Sequence, residues 1–135
     1  MSGVNDPLAD STWLYRGVPC ESPEVEDVRA IGEVRPLRPD RIGEYWRRAH
    51  VHGDTETGYT SWTTDRSIAE AAAQDSSAIY DLSGEIVIFR VRVDSISEER
   101  IFPGLEDEDE WLIEETVEDV TISESAANEE EEEHG

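Results

Sequence analysis

The stretch "YTSWTTDRSIAEAAAQ", residues 59–74, decides the fold class, because it changes period in its middle. Its first six residues alternate, with Ser61 and Thr63 on one face and Trp62 on the other, as a short half-buried strand does. The rest is alanine-rich and helical, with Asp65 or Ser67 as the cap and Ser67 and Glu70 spaced as a capping box. Working outward, "WLYRGV" (residues 13–18) reads as a strand closed by Gly17. "SPEVEDVRAIG" (22–32) reads as a helix capped by Ser22, with Val25, Val28 and Ile31 on one face and Gly32 as its stop. "RPDRIGEYWRRAHV" (38–51) reads as a second helix from Pro39, with Ile42, Tyr45, Trp46 and Ala49 as its apolar stripe. "EIVIFRVRVD" (85–94) is the clearest strand, and "EWLIEETV" and "DVTI" add two more. Helices come early and strands mostly late, the order of an α+β domain.

The chain has 135 residues, enough for one core. Residues 1–12 read as a flexible N-terminus, 13–122 as the folded domain, and 123–135, with five consecutive Glu, as a disordered acidic tail. No stretch approaches a membrane span and the first residues do not read as a signal peptide, so a soluble, cytoplasmic monomer is expected. The single Cys20 is expected as a buried, inert thiol. Trp13, Trp46 and Trp111 are assigned to the core. His50, His52 and Asp54 have spacing that suggests a metal, but they read as a solvated turn, and neither "DTETG" nor "EDEDE" has the order of a calcium loop; no metal is expected.

Charge sets the chain apart. It holds 34 acidic residues against 11 basic ones, a formal charge of −23, and all 11 basic residues are Arg. Such self-repulsion nearly vanishes at molar salt, where the screening length falls to about 3 Å. A lysine-free, acid-coated composition resembles that of proteins from salt-in halophiles such as haloarchaea. The rival reading is an acidic mimic of nucleic acid, or an inhibitor, bound to a basic partner.

"GLEDEDEWLIEE" (104–115) poses the functional question: seven of its twelve residues are acidic, yet "WLI" reads as a buried strand. Glu108 and Glu110 share a face ahead of Trp111, Ser61 and Thr63 share another, and Arg16 lies opposite Tyr15 on the first strand. If these polar groups converge, they make a fixed cation, two hydroxyls and two carboxylates. That set suits cleavage of a bond to a sugar carbon through an oxocarbenium-like transition state, with Arg binding a diphosphate.

In their order, "LYRG", "YTSWTTDRSIA" and "EDEWLI" resemble the Arg, Ser-Thr-Ser, Glu-x-Glu pattern of the mono-ADP-ribosyltransferases of the cholera- and clostridial-toxin type. Ala69 stands six residues beyond Thr63, as an alanine does in that family, and Trp62 replaces the family's central Thr. The resemblance implies two small packed β-sheets with flanking helices and a central NAD cleft. It implies that Arg16 binds the NAD phosphates, Ser61 orients the catalytic carboxylate, and Thr63 supports the site. Glu110 would be the catalytic carboxylate and Glu108 would activate the acceptor, tilting the acceptor towards arginine. The implied reaction transfers ADP-ribose from NAD to a protein, nucleic-acid or small-molecule acceptor, with release of nicotinamide. A toxin-like role with an antitoxin or immunity partner would fit so compact a domain. A catalytically inactive NAD-binding module is the other reading of the same residues.

Overall fold

The computed structural model describes residues 13–104 and 109–123. In chain order the elements are β1 (Trp13–Pro19), α1 (Glu24–Ile31), α2 (Glu44–Val51), β2 (Tyr59–Thr63), α3 (Arg66–Ile79), β3 (Ile86–Arg92), β4 (Ile101–Pro103), β5 (Glu110–Glu114) and β6 (Thr121–Ser123). The strands form one antiparallel sheet in the order β4-β5-β2-β1-β3-β6. The α+β class is therefore present, but as a single six-stranded sheet rather than two packed sheets.

The register of that sheet is uneven. β1 pairs with β3 from Trp13↔Arg92 to Pro19↔Ile86, and β2 pairs with β5 from Tyr59↔Glu114 to Thr63↔Glu110. Between these two blocks, β1 and β2 are in register only at Tyr15↔Thr63. The sheet is thus two three-stranded halves joined at a narrow seam.

Alternation along the strands sends one set of side chains to each face. Leu14, Val18, Trp62, Phe89, Val91 and Ile113 face α1 and form the core with Val25, Val28, Val34, Val117 and Val120. Trp62 is 1% exposed, and its indole N–H donates to Thr60 Oγ1 at 2.8 Å, so the core holds the large ring and satisfies its one donor. On the opposite face α3 lies against β1. A Cβ at Gly17 would run into the Ala69 carbonyl and meet Ala73 Cβ at 3.1 Å, which is why the close of "LYRG" and the small face of α3 go together.

Several expectations are corrected. α2 begins at Glu44, behind Gly43 with φ 115°, not at Pro39; Ile42 and Tyr45 are exposed, and the buried residue of α2 is His50. Ile31 is exposed, at the last position of α1 before Gly32 (φ 67°) ends the helix, so the buried face is Val25 and Val28 alone. α1 itself runs from Glu24, with Ser22 Oγ accepting the Glu24 N–H at 3.3 Å. Asp65 caps α3 by accepting the Ser67 N–H at 2.9 Å. Cys20 is exposed just past β1, 3.8 Å from Ser83 Oγ, rather than buried. Trp62, not Trp13 or Trp46, is the fully buried indole of the core, and Trp111 packs partly buried against it as expected; Trp13 stacks under Arg90, and Trp46 lies against Arg41 and Tyr45. Ser123, assigned to the tail, is the last residue of β6 and accepts from Arg66 Nη1 at 2.5 Å. The expected flexible and disordered ends otherwise lie outside the described residues. Among the described residues no helix is long and apolar enough to cross a membrane.

Candidate functional site

The site forms where β1 and β2 part. Glu110 opens β5 opposite Thr63, behind Asp109, whose φ of 48° turns the chain into the strand. Tyr15, Thr63 and Glu110 are direct cross-strand partners and share a face, and Ser61 lies two residues from Thr63 on that face. The outcome is a 2.6 Å hydrogen bond from the Ser61 hydroxyl to Glu110 Oε2. Gly104 leaves room for this carboxylate: an added Cβ there would stand 2.5 Å from Glu110 Oε1.

Arg16 belongs to the other face of β1 but reaches the seam. Its Nη1 donates to the Ser61 carbonyl at 3.1 Å, while Nε and Nη2 form a fork on the two oxygens of Glu24, each at 2.8 Å. The guanidinium thus takes up a carbonyl at the point where strand pairing ends. Burial works against both charges of the pair, yet their attraction and hydrogen bonds hold the Arg16 pKa above and the Glu24 pKa below the ordinary value. Thr63 lines the site and accepts the Asp65 N–H at 3.1 Å, fixing the turn into α3.

His50, read from sequence as part of a solvated turn, lies in the last turn of α2 and is buried. Its Nε2 is 3.0 Å from Ser61 Oγ and its Nδ1 is 2.7 Å from Thr57 Oγ1. Proton counting orients the chain. An ionised carboxylate only accepts, so Ser61 donates to Glu110 and its oxygen accepts from His50 Nε2–H. The neutral ring then accepts at Nδ1 from the Thr57 hydroxyl, whose oxygen takes the Tyr59 N–H at 3.1 Å. Burial lowers the His50 pKa; Glu110 opposes this, Arg16 adds to it, and Asp54 opposes it weakly. The surroundings thus favour the neutral ring, in which Nε2 donates to Ser61 and Nδ1 accepts from Thr57.

Two cavities of the described residues share Arg16 and Ser61 and so meet at the seam. One of about 100 Å³ lies between Tyr15, Gly17, Ala69, Ala72 and Glu110. The other, about 360 Å³ and more polar, is bordered by Glu24, Arg35, Leu37, His50 and Tyr59. Of the site residues expected from sequence, Arg16, Ser61, Thr63 and Glu110 come together here, and Glu108 lies outside the described residues. Glu24 and His50 are additions that strand alternation could not supply, since both sit on helices. Comparison of the chain with known protein families, curated proteins and solved structures finds no match.

Proposed function

We propose that the chain is a mono-ADP-ribosyltransferase that takes NAD as substrate, releases nicotinamide and passes ADP-ribose to an acceptor. The observation that carries this reading is the Ser61–Glu110 hydrogen bond of 2.6 Å at the seam where Arg16 holds the Ser61 carbonyl. Three residues drawn from three separate motifs, Arg16, Ser61 and Glu110, border one cleft, and the contact of Ser61 with Glu110 is the one that the resemblance implies, which supports the reading.

In this reading the small cavity beside Glu110 takes the nicotinamide end, and the larger one takes the rest of the dinucleotide. Glu110, aimed by Ser61, accepts the ribose 2′-hydroxyl proton in a hydrogen bond and faces the positive charge that grows on the sugar as the bond from C1′ to the nicotinamide nitrogen breaks. The bonding pair leaves with nicotinamide, which departs neutral. The acceptor's nucleophile then bonds to C1′ and gives up its proton to a base, the role that the resemblance gives to Glu108.

The test is nicotinamide release by purified protein in 1 M KCl, with and without cell extract. Glu110→Gln keeps the side chain's shape and removes its charge, and is expected to lower the rate on the order of 10² to 10³. NAD binding without nicotinamide release by the wild-type chain would mark an inactive binding module instead. A basic partner bound in the absence of NAD affinity would mark an acidic inhibitor.

A further inference from the structure

Arg16, the residue that the resemblance assigns to the NAD phosphates, has its charge already met by the Glu24 fork and its Nη1 committed to the Ser61 carbonyl. The same cleft is bordered by a second cation with a looser hold. Arg35 is 56% exposed and touches Glu33 through one carboxylate oxygen, at 3.2 Å and 3.3 Å. We propose that Arg35, rather than Arg16, is the ligand for the diphosphate of a nucleotide entering this cleft, with the exposed Leu37 beside it as the apolar contact for the base.

Three further observations support this assignment. Residues 35–48 hold five of the eleven arginines against two acids, whereas the rest of the chain holds six arginines against 32 acids. This positive stretch of a strongly negative chain reaches the polar cleft at its first arginine, Arg35, and offsets there the repulsion of an anion. The loop carrying Arg35 is also pinned at both ends. Val34 and Val117 exchange both backbone hydrogen bonds at 2.9 Å, and the Arg38 N–H donates to the Thr57 carbonyl at 3.1 Å. A planar guanidinium on a pinned loop can meet phosphate oxygens as a fork with little ordering cost. Finally, Leu37 is 65% exposed on the border of this cleft beside Arg35, so a base bound there would cover apolar surface.

The inference rests on the NAD reading but is tested apart from it, by calorimetric titration with ADP and with pyrophosphate in 1 M KCl. Arg35→Ala is expected to weaken ADP binding by at least about tenfold, the scale of a lost charge-assisted hydrogen bond. Arg35→Lys should recover only part of this loss, because an ammonium keeps the charge without the fork. Arg48→Ala, at a position outside the cleft and 72% exposed, should bind as wild type, because in 1 M KCl the screening length of about 3 Å leaves only an arginine in contact with the anion to act on it. Leu37→Ser should weaken ADP and leave pyrophosphate unchanged. No ADP binding by the wild-type chain, unchanged binding by Arg35→Ala, or an equal loss in Arg48→Ala would each overturn the assignment. Nicotinamide release measured on the same samples keeps the two ideas apart. Arg35-dependent ADP binding without release would sink the transferase and leave this site standing, and release with Arg35-independent ADP binding would do the reverse.

Discussion

Gly104→Ala offers a test of the Ser61–Glu110 contact that alters neither partner. Gly104 is not in the left-handed region, so its backbone tolerates alanine, and its N–H donates to the Glu110 carbonyl at 2.8 Å. The new Cβ would stand 2.5 Å from Glu110 Oε1 and 2.8 Å from its Cδ and Cγ, whereas ordinary contact begins at 3.4 Å. Every obstructing atom belongs to a movable side chain, so the strand can stay in place while the carboxylate retreats by about 1 Å. A hydrogen bond that starts at 2.6 Å does not survive a shift of that size along its axis. Misplacement of a reacting group by about 1 Å can cost around 10² in rate, while the stability lost with one such bond is only about 1 kcal/mol. The expected result is therefore nicotinamide release reduced by about 10² with a melting temperature lowered by a few degrees, followed by circular dichroism in 1 M KCl. Gly84→Ala is the matched control. Gly84 has φ +90° with open space around it, so alanine strains the backbone there and should cost stability without touching the rate. A wild-type rate for Gly104→Ala would show that the Ser61–Glu110 geometry does not govern the chemistry.

Two further outcomes follow from the titrating groups. His50 has a folded pKa below the ordinary value of about 6.5, so the fold favours its neutral form; its contribution to stability is complete above about pH 6.5 and is lost as pH falls towards the folded value. Over that window nicotinamide release should fall in the wild type, as the added proton turns Nδ1 from acceptor to donor, makes the Thr57 hydroxyl turn and sets a cation against Arg16; burial and Arg16 resist the proton, while Glu110 and Asp54 favour it. His50→Gln should show a flatter profile there, and an identical profile would remove His50 from the control of Ser61. The charge of −23 sets the second outcome. At 0.1 M salt the screening length is about 10 Å and surface carboxylates repel across most of the domain, so circular dichroism should show loss of structure below a few tenths molar KCl, roughly, and recovery when salt returns. Full stability in dilute neutral buffer would contradict the halophilic reading.

The strands were legible where the sequence alternates between buried and polar positions, as at Ser61, Trp62 and Thr63, because period two is imposed by backbone geometry alone. β4 was not: Ile101, Phe102 and Pro103 are too few for a period, and they become a strand only by pairing with Ile113, Leu112 and Trp111 of β5. The apolar stripe of residues 38–51 misled for a related reason. It predicts which residues could share a helix face, but Gly43 breaks the chain at φ 115° and leaves Ile42 outside the helix. His50 was missed because a histidine beside "HGDTETG" looks solvated until Thr57 and Ser61 are brought to its two nitrogens by the turn itself.

What no periodicity could show is the seam, since alternation specifies faces and says nothing about where two strands stop pairing. Beyond Tyr15↔Thr63 the Ser61 carbonyl would be left at the wall of a cleft, and a buried acceptor without a donor costs about 1 to 3 kcal/mol. Arg16 supplies that donor, and a guanidinium brought out of water needs an anion in turn, which Glu24 provides from the first turn of α1. The helix, the ion pair and the opening are therefore one device. Ser61 can present its hydroxyl to Glu110 on one side only because its carbonyl is satisfied from the other, so a cleft wide enough for a ligand and a carboxylate held to 2.6 Å are consequences of the same parted strands.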